Sequence, residues 1–137
     1  MNRKNVQVYI FDEKAKSLLM LKRTVSKSGY WQPICGGIEV DELEVEAAVR
    51  EVEEETGYGI VQSIEKLPFK FSYSEPKNGV LIDMEDICFL VKVESKFDVK
   101  LSREHETYKW CELNRVSELT DWKPIQDVCL YLEERFK

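Results

Sequence analysis

Residues 35–58 read CGGIEVDELEVEAAVREVEEETGY, from Cys35 to Tyr58. Gly36 and Gly37 let the backbone bend where a side chain would clash. Asp41 reads as a helix N-cap, with Glu44 three residues on to close a capping box. Val40 and Val45 stand at the positions of a hydrophobic staple. Gly57 is a natural C′ stop. The spacing predicts a helix over about 42 to 56. At about 100° per residue, Val45, Ala48, Val49, Val52 and Thr56 share one arc, the expected buried side. Glu51, Glu54 and Glu55 fall in the neighbouring arc, with small Ala47 between them in angle, while Glu46 and Glu53 point to solvent. Like charges at i, i+4 repel, and anions near a helix C-terminus oppose its dipole. Folding gives no reason for that crowding. A hard divalent cation does, because Mg²⁺ prefers carboxylate oxygens and keeps water and phosphate as its other ligands.

Gly36, Glu42, Arg50, Glu51, Glu54, Glu55 and Gly57 stand at the spacing G-x5-E-x7-R-E-U-x-E-E-x-G-U, with Val52 and Tyr58 at the apolar U positions. This resembles the Nudix box, here residues 36–58, with every fixed position filled. Such a set of offsets is far more specific than a lone glycine motif. The resemblance implies a MutT-like Nudix hydrolase that uses Mg²⁺ or Mn²⁺ to cleave a diphosphate linked to some moiety X. It implies Glu51, Glu54 and Glu55 as metal ligands. In some relatives the residue at the place of Glu51 is instead the general base, so its role stays open. Arg50 is expected to orient a helix carboxylate, and Glu42 is an outer-sphere candidate.

Composition bounds the rest. With 137 residues, one domain spanning 1–137 is expected. The net charge of −6, spread along the chain, argues against nucleic-acid or anionic-membrane partners. No apolar run approaches a membrane span and Met1–Ile10 lacks a signal-peptide pattern, which reads as cytoplasmic. Cys35, Cys88, Cys111 and Cys129 form no C-x-x-C pair and His105 is the sole histidine, against a zinc site. The thiols are expected to be reduced.

Val6–Phe11 and Ser17–Lys22 read as strands around a DEKAK turn. Lys22 and Arg23 end the second strand, where Nudix enzymes often carry a phosphate-binding cation, and arginine grips phosphate oxygens bidentately. The following YWQPICGGIE resembles the start of the box in the dihydroneopterin triphosphate and dATP pyrophosphohydrolase subgroup. Two positions depart from the usual pattern. Asp41 replaces a common Gly, which changes the cap. Cys35 replaces Gly or Thr, at a backbone carbonyl that helps bind metal in some relatives. Ile60–Leu67 and Phe69–Tyr73 follow as strands, the second with Phe69, Phe71 and Tyr73 on one face. Asn78-Gly79 signals a type I′ turn. Val80–Val93 returns with Ile87, Phe89, Val91 and Val93 on one face, and Asp83, Glu85 and Asp86 mark where the strand meets solvent or the site, charge on an exposed face being the commoner explanation. Glu104-His105-Glu106-Thr107-Tyr108-Lys109-Trp110 resembles the E-H-x-x-Y-x-W stretch of many Nudix hydrolases. Glu104 is the match to a carboxylate that completes the site in some of them, and His105 is expected to be a hydrogen-bonded structural residue. Asn114–Leu119 is a short helical segment. Trp122–Phe136 is a final helix with Ile125, Val128, Cys129, Leu132 and Phe136 as a buried stripe and Pro124 in its first turn.

The element order suggests an α/β (α+β) protein with a mixed sheet between helices, which the resemblance narrows to the Nudix α/β/α sandwich. The expected reaction is hydrolysis of a nucleoside triphosphate or dihydroneopterin triphosphate to the monophosphate and pyrophosphate. Trp31 and Tyr73 would stack on or wall in X. ADP-ribose and dinucleoside polyphosphates are the alternative substrates. A nucleotide-binding sensor without activity would have lost helix carboxylates, and none is lost. A prenyl diphosphate isomerase would want a longer chain. The partner is a small phosphoanhydride, and the protein is expected to be a monomer or homodimer.

Overall fold

The computed structural model describes residues 2–27, 29–59 and 63–137. Its elements run β1 (Asn2–Asp12), β2 (Ser17–Arg23), a 3₁₀ turn (Val25–Lys27), β3 (Trp31–Gln32), β4 (Ile34–Gly37), α1 (Glu44–Thr56), β5 (Ile64–Lys77), β6 (Val80–Val93), β7 (His105–Glu112), a second 3₁₀ turn (Leu113–Glu118) and α2 (Lys123–Arg135). Among the described residues the strands form one mixed sheet of main order β3-β2-β1-β6-β5, with β4 paired to β1 and β7 to β2. β1 and β6 run parallel and the other pairs are antiparallel.

β1 organises the fold because both its faces are buried and both its edges are used. Val6, Val8 and Ile10 meet Ala47, Ala48 and Val52 of α1, together with Leu19, Leu21, Ile34 and the predicted face Ile87, Phe89, Val91 and Val93 of β6. Tyr9 and Phe11 point the other way. They pack with Leu18, Met20, Cys88 and Leu90 against Ile125, Val128, Cys129 and Leu132 of α2. Each fully buried aliphatic side chain contributes about 1.5–3 kcal/mol, so the two cores hold the helices on opposite faces. That is the expected α/β/α arrangement. On its other edge β1 forks. Asn5–Val8 pair with β4, while Phe11 and Asp12 pair with β2.

The helix start differs from the sequence expectation. α1 begins at Glu44, Leu43 holds the N-cap place, and Asp41 takes the left-handed region at φ 65°. Glu46 accepts the Leu43 N–H, and Glu42 accepts the Glu39 N–H, both at 2.9 Å. Val40 and Val45 are exposed, so no staple forms. Ala47 takes the buried place expected of Val45, and Val49 is half-buried. The Gly57 stop is as expected, with φ 76° and its N–H on Glu53 O at 2.9 Å.

The Asn78-Gly79 turn has both φ angles positive, as a type I′ hairpin requires. The two expected strands before it are one, β5, with a register shift between Lys66 and Lys70 where Pro68 cannot donate to the ladder. Residues 60–62 of the expected first strand lie outside the described residues. No described helix is long and apolar enough to cross a membrane.

Asp86 corrects the reading of an exposed acidic face. It is buried, and its carboxylate accepts from Asn5 Nδ2 and Gln7 Nε2, each at 2.9 Å, and from the Tyr73 hydroxyl at 3.0 Å. The parallel β1–β6 pairing brings Asn5 and Gln7 to this point, and the antiparallel β5–β6 pairing brings Tyr73. Asp86→Leu strands the buried Asn5 and Gln7 amides and the half-buried Tyr73 hydroxyl, so urea unfolding should show a loss of about 2–4 kcal/mol, with Asp86→Asn closer to wild type. A wild-type midpoint for the leucine variant would contradict this account.

Candidate active site

Arg50 sits mid-helix and reaches back over the loop before α1. Its Nε and Nη2 donate to Glu42 at 2.8 and 2.9 Å, and Nη2 also donates to Gly37 O at 2.8 Å. Its Nη1 donates to Glu51 at 2.8 Å and to Glu54 at 3.2 Å. The guanidinium thus ties the glycine strand to the helix, the orienting role expected of it. It holds the Glu42 carboxyl down at about 2, which makes Glu42 part of the clamp.

Gly36 explains why a glycine stands on β4. A Cβ there would lie 2.0 Å from Cδ of Glu51, so the carboxylate rests directly on the strand backbone. Ala47, Glu51 and Glu55, spaced i, i+4, i+8, all lie on the buried side of α1. Glu51 and Glu55 therefore point into the protein, not along its flank as their angular positions suggested. Glu54 is exposed and turns to Arg50. Of the three expected ligands, two converge and the third stands at the rim. Among the described residues no three His, Cys, Asp or Glu side chains gather closely enough to hold an ion.

Glu55 is 3% exposed, and neither of its carboxylate oxygens has a hydrogen-bond partner. Burial, then the charges of Glu51 and Glu104, push its pKa up to about 10. Burial also raises Glu51, against the lowering effect of Arg50. Glu104 is exposed on the turn that opens β7, where its carbonyl accepts the Thr24 N–H at 3.1 Å. Its charge is among those that raise the Glu55 pKa. Cys35 is half-buried across from Gln7, and its thiol pKa is raised by burial and then by the Glu55 charge.

The expected substrate contacts divide between two places. Lys22 and Trp31 are register partners, and Trp31 packs half-buried on the α2-side core. Lys22 is 3.9 Å from Glu106. Arg23 donates to the Tyr30 hydroxyl at 3.0 Å, and its charge reaches Cys35 and His105. Tyr73 spends its hydroxyl on Asp86 and meets Trp122 edge-on at 5.5 Å. Sequence reasoning missed Gln32, whose amide nitrogen lies 3.1 Å from His105 Nε2. It stood in plain view in the YWQP run, but nothing in the chain marks its partner.

A buried carboxylate with unpaired oxygens, a second beside it and an arginine locking that second one to a glycine strand make an acid-lined enzyme centre. Comparison with known proteins names the group: residues 1–131 match the NUDIX domain, and the chain belongs to the Nudix family of hydrolases. A 96-residue stretch is 31% identical to an octanoyltransferase of Myxococcus xanthus, covering 70% of this chain but only 26% of that protein. An RNA pyrophosphohydrolase of Pelagibacter ubique is 28% identical over 77% of this chain and 74% of its own. A dihydroneopterin triphosphate diphosphatase of Haemophilus influenzae is 29% identical over 87% and 80%. The E. coli dihydroneopterin triphosphate pyrophosphohydrolase structure has the same fold, with TM-score 0.82, 22% identity and coverage of 96% and 95%.

In the metal-free protein, the raised Glu55 pKa means that the folded state keeps a proton that the unfolded chain releases above about pH 4.5. This stabilisation is complete below that pH and is lost as pH rises toward about 10. Melting in EDTA should therefore show Tm falling from about pH 5 to about pH 9, with a shallower fall for Glu55→Gln. Parallel profiles for the two proteins would refute the assignment.

Proposed function

We propose that this chain, acting as one catalytic domain over residues 1–137, hydrolyses a nucleoside triphosphate or dihydroneopterin triphosphate to the monophosphate and pyrophosphate. The observation that carries the reading is the pair of unpaired, buried Glu55 oxygens beside Glu51. Leaving such atoms without partners costs folding free energy, and a divalent cation removes that cost. The donor set fits Mg²⁺ or Mn²⁺, because it is carboxylate oxygen presented from one helix, and these ions take water and phosphate oxygens as their other ligands. Glu51 and Glu55 would hold the ion, with Glu54 joining from the rim and the Cys35 backbone beside them. When bound, the cation supplies neutralisation of phosphate charge and Lewis acidity.

The protein's own groups do the rest. Arg50 fixes Glu51 against Gly36, so the carboxylate is oriented before substrate arrives. Water attacks a phosphorus in line, the bridging P–O bond breaks, and pyrophosphate leaves with the bond's electrons. A carboxylate, Glu51 or Glu104, takes the proton of that water. Lys22 and Arg23 offset phosphate charge, while Trp31 offers a flat surface to a purine or pterin and Tyr73 walls the far side. The likeness to the Haemophilus influenzae enzyme along most of both chains supports this substrate class. The net charge of −6 supports a small-molecule substrate over a nucleic acid, and we place the reaction in the cytoplasm as part of this reading.

Activity should vanish in EDTA and return with Mg²⁺ or Mn²⁺; turnover in a chelated sample would sink the metal reading. Glu55→Gln should lower kcat by on the order of 100-fold or more, while Glu53→Gln on the solvent side changes little. Equal effects would show that the buried stripe is not the site. Across nucleoside triphosphates, dihydroneopterin triphosphate, RNA 5′-triphosphate, ADP-ribose and dinucleoside polyphosphates, kcat/KM should be highest for the free triphosphates. A tenfold preference for any of the other three would overturn the substrate class and leave the hydrolase standing.

A further inference from the structure

Among the described residues, the buried side-chain polar atoms without partners fall in one knot: both oxygens of Glu55 and Nδ1 of His105. The His105 side chain is wholly buried, and its Nε2 lies 3.6 Å from Glu55 Oε1 and 3.1 Å from the Gln32 amide nitrogen. The two contacts come from separate elements, Glu55 from α1 and Gln32 from a strand. β3 carries Gln32, and β7 carries His105 at its first residue. A register shift between Lys22 and Arg23 sets His105 opposite Arg23, and such irregularities re-aim side chains. A histidine kept only for the fold would close its hydrogen bonds or be replaced by an apolar residue at lower cost. This one stops just short of Glu55.

The chemistry of the contact is specific. With its proton on Nε2, the neutral ring offers one N–H toward Glu55 Oε1. The Gln32 amide nitrogen facing Nε2 can only donate to it, which places the ring proton on Nδ1; with the amide turned end for end its carbonyl oxygen accepts from Nε2–H, and that arrangement is the one that leaves a donor facing Glu55. At 3.6 Å this N–H faces one Glu55 oxygen without bonding it, and a small closing shift would restrain that oxygen and leave the other free.

We infer that His105, backed by Gln32, is a positioning residue that orients the Glu55 carboxylate for the divalent cation. The inference rests on Glu55 being a cation ligand, as set out under Proposed function. Groups that orient a ligand in this way are worth about 10–100-fold in metal affinity.

The test is Mn²⁺ binding to the purified protein, followed by the electron paramagnetic resonance of free Mn²⁺ without substrate, together with Tm in EDTA. His105→Leu removes the donor. His105→Gln returns an amide N–H near the Nε2 place, and His105→Asn returns one only near Nδ1. The Leu and Asn variants should bind Mn²⁺ about tenfold or more weakly. The Gln variant should recover most of the affinity, and Tm in EDTA should not track this order. Gln32→Leu should weaken binding in the same direction. Wild-type affinity in His105→Leu overturns the inference. So does equal affinity of the Gln and Asn variants, a comparison that decides alone if the leucine variant does not fold. Glu55→Gln separates the two levels. If it binds Mn²⁺ as wild type does, the ligand reading itself fails; if it loses binding while His105→Leu does not, only the positioning role fails.

Discussion

The site depends on one guanidinium. Arg50 spends its donors on Glu42, Glu51, Glu54 and the carbonyl of Gly37. A lysine in its place has one rotatable ammonium and cannot hold a planar fork of partners. The clamp joins three pieces of chain that are otherwise independent: the glycine strand β4, the loop before α1 and the body of the helix. It also sets where the helix begins. Glu42 is drawn to Arg50, so the first turn forms after it, and the expected Asp41 cap is left in a left-handed turn.

What the clamp stabilises is an arrangement that folding alone disfavours. Two carboxylates lie on the buried side of α1, one against bare backbone at Gly36 and one with no partner. The interior raises both pKa values by withdrawing water from them. Large apolar surfaces on both faces of β1 offset that cost. The same β1 carries Asn5 and Gln7 to Asp86, so one strand supports both cores and a second buried acid. The two buried acids are handled differently. Asp86 is saturated with donors and serves the fold, whereas Glu55 is left without a partner.

The sequence by itself determined the family, because the box residues stand at fixed offsets and each offset is a local constraint on one helix and its flanking turns. It also determined the Gly57 stop, the Asn78-Gly79 hairpin, the inward face of β6 and the buried stripe of α2. All of these are written in periodicity or in backbone preferences of single residues. Tertiary structure alone decided which carboxylates turn inward. Helical angle placed Glu51, Glu54 and Glu55 in one arc, but packing of Ala47 and Ala48 against β1 rotated that arc and sent Glu54 out to Arg50. It alone joined Gln32 to His105, 73 residues apart, and Asn5 to Asp86, 81 apart. Contacts of that range come from strand register, which is set by the whole sheet at once. A side chain's neighbours across a sheet leave no trace in its own neighbourhood along the chain.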